Sequence, residues 1–195
     1  MKFVNVLLIA FMLVAGAAIA VEKEADTQNA VPTLSTLGVL SGTLDENSPT
    51  YDRIFGGSVS LECASEVSES SSDGMYFALF CIEVSTSDPI ELIVDPAATN
   101  IGDTVMTLYC DPFDIAAPEA NVVSYDDDGG DGLLSAFTID DNITLTPGNS
   151  YFVVLSTFSP GNMGDFAINT SDNVTECGTV ATESSNWDSL KASYR

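Results

Sequence analysis

Residues 125–132 read Tyr-Asp-Asp-Asp-Gly-Gly-Asp-Gly and put four carboxylates within six positions, on Asp126, Asp127, Asp128 and Asp131. Carboxylates crowded this closely repel one another, so a fold that gathers them gains from a neutralising cation. Calcium suits such a loop. It takes roughly 6–8 oxygen ligands at about 2.3–2.6 Å, which carboxylates and loop carbonyls supply. Asp111 and Asp114, in the upstream Cys-Asp-Pro-Phe-Asp segment, join the candidate ligands. The string is not an EF-hand, which sets ligands at alternate residues and closes on a Glu. The competing reading is a tight turn, with Asp side chains accepting from loop amides and Gly taking positive φ.

Catalytic chemistry finds little to build on. The chain has no His, which removes Ser-His-Asp and Cys-His arrangements and His-bound zinc. It has no Gly-x-Ser-x-Gly elbow and no Gly-rich phosphate loop ending in Lys. A carboxylate pair can cleave a glycoside, but 29 acidic residues bring such pairs together by chance. No catalytic role is therefore expected. Asp140 and Asp141 read as a turn, Asp165 as the opening of a last strand, and Glu62, Glu66 and Glu69 as solvent-facing charge. Tyr51, Phe55 and Tyr125 fall in loop-like stretches, where aromatics either stack on a ligand or plug the open end of a sandwich. Asn142, Asn169 and Asn173 each begin an Asn-x-Ser/Thr acceptor, which matters only in a host that glycosylates it.

The N-terminus supplies the context for this chemistry. Lys2, the apolar run over residues 4–14 and the small residues Ala18 and Ala20 make the three parts of a secretory leader, with cleavage expected between Ala20 and Val21. The run is short for a bilayer span, and no later stretch is long and apolar enough to make one. An exported chain with an even cysteine count points to disulfides among Cys63, Cys81, Cys110 and Cys177, in any of three pairings. The whole chain carries a net charge of −24. Loss of Lys2 with the leader leaves four basic residues against 29 acidic. Such a surface repels nucleic acid and anionic membranes, attracts cations and keeps an exported protein soluble. The segment NWDSLKASYR, residues 186–195, places Trp187, Leu190 and Tyr194 on one face of a short helix, with Lys191 and Arg195 suited to its C-terminal end. It resembles short tails on some exported bacterial proteins, which implies a sorting or docking signal. The plainer reading is a short helix resting on the domain.

One domain has to position all of this. Residues 21–33 read as a flexible lead-in, residues 34–177 as the domain and residues 178–195 as a tail. Short alternating segments suggest strands over residues 37–44, 58–63, 76–84, 90–94, 104–110, 133–139, 143–145, 151–158 and 165–169. Residues 65–74 read as a Ser-rich acidic loop. Pro147-Gly148-Asn149 and Pro160-Gly161-Asn162 read as turns. In residues 76–84, Tyr76, Ala78, Phe80, Ile82 and Val84 share one face, and Phe77, Leu79 and Cys81 the other. Apolar residues on both faces mark a strand inside a sandwich. The expected fold is an all-β antiparallel sandwich of jelly-roll type, as a single domain.

The order of motifs strengthens that expectation. TVMTLYCDPFD (residues 104–114), NVVSYDDDGGDGLLSAFTI (121–139), ITLTPGNSYFVVLSTF (143–158) and GDFAI (164–168) together resemble the bacterial pre-peptidase C-terminal domain and its relatives. The likeness covers roughly residues 35–172. It implies a jelly-roll sandwich that serves exported enzymes as an appendage, some members binding calcium, collagen or polysaccharide. The family strand commonly carries Asp before its core. Here Thr104 stands there, with Asp103 just upstream. The functional expectation is a secreted, non-catalytic binding or accessory module, with an extracellular polymer or protein as partner. The alternative is a structural cell-surface or matrix protein located by its tail.

Overall fold

The computed structural model describes residues 38–54, 63 and 70–177, the side chains of residues 70–73 excepted. The expected leader with Ala20 and Val21, the expected lead-in, the expected strand over residues 58–62, and Phe55, Glu62, Glu66 and Glu69 lie outside the described residues. So do the tail residues Trp187, Leu190 and Tyr194. The described chain forms β1 (Gly38–Leu44), β2 (Thr50–Ile54), β3 (Ser70–Val84), β4 (Leu92–Val94) and β5 (Thr104–Cys110). It continues with β6 (Val122–Asp126), β7 (Ala136–Phe137), β8 (Tyr151–Thr157), β9 (Gly164–Thr170) and β10 (Val174–Glu176). A 3-10 turn over Ile139–Asp141 follows β7. Among the described residues no helix is long and apolar enough to cross a membrane.

Every strand pairing is antiparallel. One sheet runs β1-β9-β4-β7. The other runs β10-β3-β8-β5-β6, and β2 also pairs with β3. With β2 and β10 set aside, the remaining strands interleave as first-eighth-third-sixth and second-seventh-fourth-fifth. That is the jelly-roll connection of two Greek keys. The all-β sandwich expected from alternation is therefore the fold.

The alternation in β3 is used on both sides. Ile82 and Val84, with Tyr76, Ala78 and Phe80 packed beside them, line the inner face with Met106, Leu108, Val153 and Leu155 of the same sheet and meet Phe166 and Ile168 of the other. Phe77 and Leu79 face outward, into a second cluster with Tyr51, Ile54, Met75, Tyr109, Phe113 and Val154. All seven residues of β5 are buried, which explains its apolar side chains on both faces. Gly148 and Gly161 take φ of 85° and 79°, as turn glycines do.

Several local expectations are corrected. Tyr51 and Tyr125 are strand residues in β2 and β6, not loop residues. Tyr51 is buried in the outer cluster, where desolvation pushes its hydroxyl up to about 12. The β2 signal was hidden because Arg53 takes a buried position that apolar alternation would assign to an aliphatic side chain. β3 begins at Ser70, inside the expected loop. Pairing with β2 makes that stretch a strand, where propensity alone does not. Residues 143–145 make only an isolated bridge, Pro89 with Thr144, and residues 133–139 contribute only Ala136–Phe137. Asp140 and Asp141 do form the expected turn, with the Asp141 carboxylate accepting from Thr138 N at 2.6 Å.

The cysteines pair as Cys63–Cys110 and Cys81–Cys177, which selects one of the three possibilities. The bridges close separations of 47 and 96 residues, and stabilise by about 4 and about 4.7 kcal/mol respectively in the chain-entropy limit. A thiol assay on the denatured, unreduced mature chain should find no free thiol, and peptide mapping should recover these two pairs. Two free thiols per chain would contradict the assignment.

Candidate metal centre

The acidic loop follows β6, which runs beside β5 with Asp126 opposite Met106. Asp126 itself does the work of a turn. Its Oδ2 accepts from Gly129 N and from Ala136 N, both at 2.8 Å, and so ties the start of the loop to its end. Gly130 N donates to Leu134 O at 2.7 Å. The paired glycines are there for space. A Cβ on Gly129 would stand 2.7 Å from both Asp126 carboxylate oxygens, and one on Gly130 2.6 Å from Leu134 O.

The far end of the loop is clipped to β5. Ser135 N donates to Thr104 Oγ1 at 2.8 Å, and Ser135 Oγ donates to Thr104 O at 2.7 Å. Both side chains are fully buried, so these bonds are shielded from competing water. Thr104 N donates to Leu133 O at 3.1 Å. The head of β5 is thereby held against the loop, and Asp103, one residue upstream, is brought to it.

Asp103, Asp127 and Asp128 converge, each offering an oxygen within 4.8 Å of the others. Asp103 and Asp127 are half-buried and Asp128 is exposed. The Oδ1 atoms of Asp103 and Asp127 are buried and accept no hydrogen bond among the described residues. Oxygens so placed can share a cation. Two ligands on opposite sides of calcium stand about 5 Å apart, so the spacing here fits within one coordination shell.

Arg53 supplies the local positive charge. Its side chain is 2 % exposed. Nη2 donates to Phe158 O at 3.0 Å, and the guanidinium lies over the Phe158 ring at 5.3 Å. Phe158 N donates in turn to Asp103 O at 3.3 Å, so the cation and the carboxylates share one structural unit. Burial lowers the Arg53 pKa, opposed by the fields of Tyr51, Asp127, Asp103 and Tyr125. One guanidinium against three carboxylates leaves the cluster negative.

Burial raises the Asp103 carboxyl above its ordinary 3.8, and the Asp128 charge adds to this while Arg53 opposes it. Asp127 is raised by burial first, then by Asp128 and Asp103, again against Arg53. Raised folded values mean that the folded state binds more protons than the unfolded state between the two values. The pair therefore weakens the fold at neutral pH. That penalty is relieved as pH falls through the folded values and is gone below 3.8. In chelator, the melting temperature of the wild type should gain on that of Asp103→Asn/Asp127→Asn as pH falls from neutral toward 4. A constant difference between the two would contradict the assignment.

The other candidate ligands sit elsewhere. Asp131 is exposed and outside the converging group, its carbonyl accepting from Leu134 N at 3.2 Å. Asp111 and Asp114 follow the opposite end of β5, about 25 Å away along an extended strand. The Asp114 carboxylate accepts from Ala116 N at 2.8 Å in a turn of its own. Asp111 lines a separate cleft of about 480 Å³ with Cys63, Cys110, Asn149, Ser150 and Tyr151. Of the six ligands expected, the fold gathers Asp127 and Asp128 and adds Asp103. The available signal for Asp103 was its place immediately before the strand that begins at Thr104.

No protein-family model matches the chain, and no curated protein matches it.

Proposed function

We propose that this chain is a secreted, non-catalytic β-sandwich binding or accessory module of the pre-peptidase C-terminal domain type, with calcium steadying its acidic loop. The observation that carries the reading is the convergence of Asp103, Asp127 and Asp128 at one end of the sandwich, with a buried oxygen on each of Asp103 and Asp127 that accepts no hydrogen bond among the described residues. Calcium accepts such oxygens without asking the protein for donors. The leader and the even cysteine count support export, and the two disulfides are compatible with it. The charge of −24 directs the partner away from nucleic acid and anionic membrane and toward an extracellular polymer or protein. Three carboxylates anchored to a rigid jelly roll can hold a loop in a binding shape, and the ion supplies the charge that makes the shape tolerable.

The test is a binding screen of the mature protein against polysaccharides, collagen and extracellular proteins, in calcium and in chelator. Binding that chelator weakens is expected. Absence of binding in both conditions, together with a hydrolytic activity, would overturn the reading.

A further inference from the structure

We propose that residues 186–195 of this chain dock on the acidic rim of its own sandwich. The rim combines charge with exposed apolar surface. Asp103, Asp127 and Asp128 concentrate negative charge there, and Arg53 beside them is buried. Leu133 and Phe158 remain 52 % and 37 % exposed. Both lie against this unit, since Phe158 N donates to Asp103 O and Leu133 O accepts from Thr104 N. Carboxylates set among exposed apolar side chains suit a ligand that brings aromatic and cationic groups together. Residues 186–195 have that composition, with Trp187, Leu190 and Tyr194 interleaved with Lys191 and Arg195, and with Asp188 counted the segment keeps a net positive side-chain charge within an acidic chain. Lys191 and Arg195 are two of the five basic residues in the whole sequence, so the complementarity is concentrated in this segment.

The direction of the chain favours the same contact. β10 runs antiparallel to β3, with Val174 opposite Val84 and Glu176 opposite Ile82. On its other edge β3 pairs Ile82 with Tyr151 and Phe77 with Ser156. β10 therefore travels toward the end of β8 that leads into Phe158. The Cys81–Cys177 bridge fixes the residue that follows β10 on that course. From Cys177 the rim is about 20 Å further along β3 and two or three strand spacings across, roughly 25 Å in all. The ten residues from Cys177 to Trp187 span up to about 33 Å. Tethering at this range gives the segment a high effective concentration at the rim, so a modest contact suffices.

Trp187 is the single tryptophan of the chain and reports on the contact directly. The full mature chain is measured in chelator, so the result does not depend on the calcium reading. Native Trp187 emission should lie well to the blue of the denatured chain and resist acrylamide quenching several-fold better. Leu133→Gln with Asp128→Asn, both at exposed positions, and separately Lys191→Gln with Arg195→Gln, should return it toward the denatured values. Near-UV circular dichroism should show in each case that the sandwich is intact. Denatured-like emission in the native wild type would overturn the proposal. So would a shielded Trp187 that ignores Leu133→Gln with Asp128→Asn, or shielding that disappears on dilution as a dimer dissociates.

Discussion

Calcium at about ten to a hundred times its dissociation constant should stabilise the mature protein by about 1.4–2.7 kcal/mol. For a domain of this size that is a rise of roughly 5–10 °C in melting temperature. Extracellular calcium sites commonly bind in the range of about 0.1–1 mM, so roughly 10 mM calcium reaches this regime. Asp127→Ala with Asp128→Ala should abolish the rise, because it removes two of the three converging carboxylates. In chelator the double variant should melt no lower than the wild type, since it also relieves the repulsion that raises Asp103. Asp126→Ala is the informative contrast. Its carboxylate holds Gly129 N and Ala136 N, so its loss should cost about 2–3 kcal/mol with or without calcium. A wild-type melt indifferent to calcium would leave the whole loop as a turn.

The distinction between these aspartates could not be read from the sequence. Asp126, Asp127 and Asp128 are identical in type and consecutive, and nothing local says which one caps the turn. The fold decides it, because Ala136 N returns to Asp126 after the glycines double the chain back. The sheet framework was more legible. Residues 104–110 and 151–158 are short runs rich in β-branched, aromatic and other apolar side chains, and they became neighbours β5 and β8 with Val105 opposite Ser156. Asp111 was legible as an acid near the loop in sequence but not as one at the far end of a strand. A strand converts a separation of eight residues into a distance, and a turn does not. The largest omission was Arg53. An arginine in a short, polar-looking segment reads as surface charge. Here it is buried because β2 pairs alongside β3 and joins the outer cluster, and that pairing spans about 20 residues of sequence.

Arg53→Met should lower stability in chelator at neutral pH by about 2–3 kcal/mol. Methionine keeps the packing of the aliphatic stem. The loss is therefore the loss of the charge and its hydrogen bonds. Breaking a fully buried ion pair costs about 3–5 kcal/mol, an upper bound for a guanidinium that acts on Asp103 and Asp127 through its field. The lower figure applies here because Asp103 and Asp127 are only half-buried and water takes up part of the field. The variant also strips the Phe158 carbonyl of its Nη2 donor. Two dependences separate the electrostatic role from plain packing. The deficit should shrink as pH falls toward 4, because Asp103 and Asp127, already raised, can take up protons and need no counter-charge. It should also shrink in calcium, because the divalent ion replaces the missing guanidinium charge and binds more tightly where no cation competes with it. Arg53→Met should thus be the less stable protein and the better calcium binder, the opposite pairing from Asp127→Ala with Asp128→Ala. A deficit unchanged by both pH and calcium would make Arg53 a packing residue, and a deficit near zero would remove it from the site altogether.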